Sequence, residues 1–387
     1  MNSNKQVLPW IQSLRGIAAL LIVLVHARFI LPGPTGHFIA DTFFFPGAMG
    51  VDLFFIVSGF IMALTTKSSD GSAAYVRTFA IKRVARIWPL YLCVSLLTLL
   101  LPPDAGWLSN WAHIKGFIRS LLLIPVNPDA GLYLGMPVNV SWTLTFEVYF
   151  YAVLAVSMFF GRWRWIAAAC WFAVTLVWYP VHSGHYSLDP FGQQPIHWLN
   201  FANVAINPIV WDFIAGLLGG ALYLSGARLP STAAMQWSYL IILLSIAAIL
   251  MKAVMGSPSP HGMTGFGAPL AALFLGIVLL AKTKEIGAPK WALWLGDISY
   301  SLYLTHLFGF RLSGLLVSSL HIEDATKAAM CNFFGSIAFG VVTGAIFYSM
   351  VEKPFSRFAQ TKMLSLFAGG RTAEADLAHV PPGAARP

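Results

Sequence analysis

Residues 11–31 read IQSLRGIAALLIVLVHARFIL. A helix needs about 20 apolar residues to cross a hydrocarbon core of about 30 Å, so this stretch is long enough to span. Yet it carries Arg15 and His26. An ionisable group in a membrane span costs at least about 2.5 kcal/mol on insertion scales and therefore marks a functional position by default. The two are eleven positions apart. At about 100° per residue they come within about 20° of the same azimuth, and the rise between them is about 16 Å. The stretch predicts a membrane helix with two polar groups on one face, Arg15 towards its start and His26 towards its end.

The rest of the chain has the same character. Of 387 residues, 57% are hydrophobic and 10% charged, against about 25% charged in soluble domains. Mean hydropathy is +0.71. Apolar blocks at 11–31, 47–66, 84–101, 141–160, 163–180, 204–225, 236–255, 266–281, 291–317 and 328–351 predict an all-α, polytopic transmembrane bundle of about ten spans. The basic stretch 111–125 is too short for a span and reads as an interfacial or re-entrant helix.

With the N-terminus in the cytoplasm, all but six of the 24 Lys and Arg residues fall on the inner side. The six are Arg28, Lys115, Arg119, Lys252, Arg311 and Lys327. This bias predicts both termini inside, and it accounts for the net charge of +9 with no call for nucleic acid. Cys93, Cys170 and Cys331 are far apart with no metal-ligand spacing, and read as small buried hydrophobes. No removable signal peptide is evident. Residues 1–358 form the expected membrane domain. Residues 359–387, rich in Ala, Gly and Pro, form an expected disordered cytoplasmic tail. The outer loop 181–203 has no Lys or Arg and several His, Asn, Gln and aromatic residues, which suits a sugar-facing rim and equally a plain outer loop.

On this topology Asp52, Glu147 and His306 fall in the same outer-half layer as His26, each on a different span. Any one alone reads as packing glue between helices. Four at one depth favour a site, in which Glu147 or Asp52 orients a histidine base and stabilises its charged form. Ser58 reads as a packing hydroxyl. On the inner side, IKRVARIWPLYL (81–92) places Arg83 and Arg86 three residues apart on one helix face. They read either as inner-side anchors or as a phosphate clamp.

The ordered set of segments is similar to the acyltransferase-3 family of membrane acyltransferases. IQSLRGIAALLIVLVHARF (11–29) resembles its first helix, with Arg15 and His26 in the Arg-x10-His pattern. GVDLFFIVSGFIM (50–62) resembles its second-helix signature and RVAR (83–86) its Arg-x-x-Arg motif. SWTLTFEVYFY (141–151) resembles the segment that supplies Glu147, with Thr143 where the family often has Ser. ISYSLYLTH (298–306) resembles the late-helix signature ending in His306, and VEKPF (351–355) the closing Glu-x-Pro. The resemblance covers residues 11 to about 358.

It implies transfer of an acyl group, usually acetyl from acetyl-CoA, to a hydroxyl of an exopolysaccharide, lipopolysaccharide or other glycan. The expected seat is the bacterial cytoplasmic membrane, with no metal and with polysaccharide-biosynthesis proteins as possible partners. Coenzyme A phosphates suit Arg83 and Arg86, with Arg15 beside them. The extended pantetheine arm suits the reach to His26, the expected base, with His306 assisting acceptor or oxyanion. A transporter or flippase for a lipid-linked or polymeric sugar also carries polar groups at midplane. It predicts no acetyl transfer, no need for the arginine pair, and often inverted repeats, none of which is visible by eye. A membrane sensor or scaffold leaves the histidine and carboxylate layer without a role.

Overall fold

Long apolar runs without alternation fold as helices, because a chain in lipid must satisfy its backbone polar groups within the segment. The computed structural model describes residues 8–100, 110–136, 138–192, 196, 200–226, 231–257 and 259–367, and among them no strand occurs. The long helices are α1 (Pro9–Ala27), α2 (Met49–Thr66), α3 (Ala73–Leu100), α4 (Trp111–Leu121), α5 (Trp142–Met158), α6 (Arg164–Ala173), α7 (Val210–Leu224), α8 (Ser231–Met255), α9 (Gly267–Thr283), α10 (Lys290–Ser319), α11 (Ala325–Phe347) and α12 (Lys353–Phe367). A π-helical turn, Val174–Trp178, extends α6 into Tyr179–His182, and another, Tyr348–Glu352, joins α11 to α12.

Each of the ten expected segments is mainly helical, 204–225 being broken at Asn207–Ile209. Six helical stretches of the described residues are long and apolar enough to cross a membrane: Pro9–Ile30, Gly33–Thr66, Ala73–Leu100, Gly161–His182, Thr232–Met255 and Ala325–Phe367. α5, α7 and α9 are apolar but shorter. The outward faces are apolar as well. Leu243, Leu244 and Val254 on α8 and Phe334 on α11 are exposed, as suits an integral membrane protein whose solvent is lipid.

Close backbone approach sets the packing. α2 crosses α7 where Gly59 meets Gly216. A Cβ on Gly59 would lie 2.1 Å from the Phe213 carbonyl oxygen, and one on Gly216 would lie 1.9 Å from that of Ile56. α1 lies on α10 through Gly16 and Gly296, where a Cβ on Gly296 would meet the Gln12 carbonyl at 2.2 Å. Small residues at helix crossings are the usual means of association in lipid, where apolar side chains gain nothing from leaving the solvent.

Two expectations change. Cys170 and Cys331 are exposed and Cys93 is half-buried, so the cysteines are not core residues. An apolar side chain in a bilayer is as well placed facing lipid as facing the core. The chain also stays helical to Phe367, past residue 358. Residues 368–387 of the expected tail, with Lys5, Arg228, 193–195 and 197–199, lie outside the described residues. The basic stretch at 111–125 forms α4, N-capped by Asn110. It is tied to α3 by Trp88 Nε1 donating to the Leu121 carbonyl at 3.1 Å and Tyr91 Oη to that of Ser120 at 2.6 Å.

Candidate active site

The shared face of α1 is real, and it looks at α10. Arg15 Nη2 donates to Ser299 Oγ at 3.0 Å, and Nη1 to Gln12 Oε1 at 3.0 Å. Gln12 Nε2 in turn donates to Asp297 Oδ1 at 2.6 Å. Further along the same face, His26 Nδ1 and His306 Nε2 are 3.3 Å apart, with ring centroids 4.9 Å apart.

Backbone carbonyls fix both tautomers, because a carbonyl oxygen only accepts. His26 Nδ1 lies 2.8 Å from the Ile22 carbonyl, so Nδ1 carries the proton. His306 Nδ1 lies 2.9 Å from the Tyr303 carbonyl and is likewise the donor. His306 Nε2 therefore shares the His26 Nδ1–H with the Ile22 carbonyl, as the longer branch. His26 Nε2 keeps its lone pair, has no partner among the described residues and is not sealed from solvent. A half-buried imidazole with a free Nε2, held on its far side, has the form of a general base.

One turn before His306, Tyr303 lines a cavity of about 70 Å³. Arg15, Ser58, Arg86, Thr143, Glu147 and Tyr300 also line it, with Phe54, Phe55, Ile87, Val51 and Leu144 as the apolar wall. Arg86 has no hydrogen-bond partner among the described residues, so its guanidinium is left to the cavity. Arg83 does not line it. It packs over Phe79 and Tyr151, 5.4 Å from each ring centroid.

Glu147 accepts from Tyr151 Oη and, at 3.5 Å, from Ser58 Oγ. Glu352 accepts from Ser301 Oγ at 2.5 Å. Both carboxylates are within electrostatic range of Arg15 and Arg86, but neither forms a direct ion pair with them among the described residues.

The expected four-residue layer thus divides three ways. His26 and His306 meet each other. Glu147 turns to the cavity and its arginines. Asp52 lies elsewhere: its Oδ2 accepts from His261 Nδ1 at 3.1 Å and its Oδ1 from the Gly262 N–H at 2.6 Å. Buried Asp212 lies beside it, close enough for the two carboxyls to interact directly. So neither Asp52 nor Glu147 orients His26. The Ile22 carbonyl and His306 do. The physical reason is azimuth: Asp52 sits on the face of α2 turned to α7 and the loop before α9, and Glu147 on the face of α5 turned to the cavity, with Ser58 of α2 and Arg86 of α3.

Sequence reasoning passed over His261, Asp212 and Glu352 as site residues. Asp212, a carboxyl inside an apolar run, and Glu352, within the quoted VEKPF segment, each carried the same signal that singled out Glu147. His261 sits in a loop with nothing in its neighbourhood to distinguish it.

Comparison with known proteins adds the family. A family model described as an acyltransferase domain matches residues 8–350. The chain is 30% identical over 346 residues to the exopolysaccharide production protein ExoZ of Rhizobium meliloti (strain 1021), covering 88% of this chain and 98% of that protein. It is 25% identical over 377 residues to the acyltransferase MdmB of Streptomyces mycarofaciens, covering 90% and 92%. No solved structure matches. A match over nearly the whole chain, on a helical bundle with paired histidines beside an arginine-lined cavity, leaves one assignment: the chain belongs to the acyltransferase-3 family.

Proposed function

We propose that the protein moves an acyl group, acetyl from acetyl-CoA, to a hydroxyl of a polysaccharide or other glycan at the bacterial cytoplasmic membrane. The observation that carries this reading is the cavity, with the guanidiniums of Arg15 and Arg86 on it and the His26–His306 pair one turn beyond Tyr303. Guanidinium groups pair bidentately with phosphate oxygens, and coenzyme A brings phosphates at one end and a thioester at the other. The name of the Rhizobium relative supports a polysaccharide acceptor. The helices are read as ten spans with the Arg83 and Arg86 end in the cytoplasm, so the donor comes from inside.

The reaction then runs between residues already placed. The acceptor hydroxyl oxygen attacks the thioester carbonyl as its proton passes to His26 Nε2. The new C–O bond forms, the C–S bond breaks, and the proton returns to the departing thiolate to give free thiol. His306 Nε2 steadies the His26 imidazolium through Nδ1–H. Arg15 and Arg86 hold the donor, Arg83 adds positive charge from behind the lining, and Glu147 braces the cavity wall through Tyr151 and Ser58.

Purified protein supplied with labelled acetyl-CoA and candidate glycans should yield acetylated glycan, and its absence with every acceptor overturns the assignment. Arg86→Ala should raise the donor KM by about 10-fold or more, the scale of a lost hydrogen bond between charged groups. Arg83→Ala should raise it less, because Arg83 lies behind the lining. Unchanged coenzyme A affinity in Arg86→Ala rejects the phosphate role.

A further inference from the structure

At the end of the bundle where α1 finishes and α2, α5 and α9 begin, a second histidine is held in one tautomer. His261 lies on the loop between α8 and α9 and donates Nδ1–H to Asp52. Its Nε2 has no partner among the described residues and is not among the sealed polar atoms. The loop is built to hold it: Gly262 N–H donates to Asp52 at 2.6 Å, Ser259 Oγ to the His261 carbonyl at 3.0 Å, and Lys252 Nζ to the Thr264 carbonyl at 2.8 Å. His26 and His261 are within electrostatic range of each other.

Aromatic rings close round it. Trp142 lies 5.8 Å from the His261 ring centroid, and Phe191 stacks on it at 6.2 Å and 24°. Tyr133 is 5.5 Å from Trp142 and 5.7 Å from Phe191. His261 and Trp142 are 5% exposed, whereas Tyr133 is 44% and Phe191 39% exposed. The outer two rings thus present free surface, and the inner two back them. The Phe191 loop is itself fixed, by Asn207 Nδ2 donating to the Pro190 carbonyl at 3.0 Å. Aromatic residues at membrane surfaces often serve as lipid anchors. Anchoring has no use for a buried aspartate that fixes a histidine tautomer. Nor do the described residues offer three grouped metal ligands here.

A carboxylate behind the ring and a lone pair in front disfavour an anion at Nε2 and favour a neutral O–H donor. A pyranose ring has that pairing of surfaces, an apolar C–H face for an aromatic ring and hydroxyls at its edge.

We infer that Tyr133, Phe191 and His261 form the acceptor subsite, binding a neutral pyranose whose face packs on the two rings while one hydroxyl donates to His261 Nε2. The inference rests on the acyl-transfer reading and adds where the acceptor sits. His261 and Asp52 are positioning residues: they choose which hydroxyl comes to His26.

The test uses the full chain in nanodiscs, with methyl glucopyranoside and methyl galactopyranoside as probes. His261→Asn keeps a donor for Asp52, at the Nδ1 position, and deletes the Nε2 acceptor. Phe191→Leu removes an exposed ring from a fixed loop. Each should raise the acceptor KM, about 10-fold for His261→Asn and about 5-fold for Phe191→Leu, while the acetyl-CoA KM stays within about two-fold. Acceptor KM values unchanged in both variants, or a donor KM rising in step, overturn the subsite. Direct binding by saturation-transfer NMR separates the two claims. Wild-type binding that both variants lose, without acetyl transfer, supports the subsite and sinks the acyl-transfer reading. Transfer that both variants retain unchanged does the reverse, and wild-type protein that binds neither glycoside overturns the subsite.

Discussion

His26→Ala should lower acyl transfer about 10²- to 10⁴-fold, the contribution of a positioned general base, at unchanged protein level. The alanine removes the Nε2 lone pair that no residue replaces. His306 keeps a lone pair on Nε2, but behind the place that His26 fills, one ring further from the acceptor. His306→Ala should cost less, because the Ile22 carbonyl still holds His26 in the same tautomer. Initial rates with labelled acetyl-CoA at saturating donor read both effects. Full activity in His26→Ala removes the base from the mechanism.

Gly216→Val should abolish folded protein. The added carbon meets a main-chain oxygen at 1.9 Å, not the end of a side chain that can turn aside. Overpacking a core costs about 1–3 kcal/mol when side chains can yield, and more when backbone must move. Here two helices would have to separate, and α2 carries Asp52 and Ser58. The main peak in size-exclusion chromatography should vanish. Gly226→Ala is the control, since a Cβ there meets nothing within 4 Å. A stable, monodisperse Gly216→Val protein shows that α2 and α7 do not touch as described.

Helical character was legible in the sequence because membrane helices write themselves as unbroken apolar runs. The face shared by Arg15 and His26 was legible because helical phase follows from spacing alone, and both side chains do reach α10. Common depth is a weaker constraint than contact. It grouped Asp52 and Glu147 with the histidines, but azimuth within the bundle, fixed by glycine crossings between distant segments, sent each to another neighbour. His261 was hidden for a related reason: the loop that carries it matters only because α2 brings Asp52 beneath it. The cysteines misled because the rule that apolar means buried belongs to water.

The hydrogen-bond order of the histidine pair has a bearing on the cell's energy supply. A base inside a membrane risks becoming one link in a proton wire, and each charge crossing 100 mV dissipates about 2.3 kcal/mol. Here the wire ends after two rings. His306 points its only N–H at main-chain oxygen, which accepts a hydrogen bond but passes no proton onward. In the proposed reaction a proton taken from the acceptor at His26 Nε2 leaves from that same atom onto the departing thiolate, so none is relayed through His306.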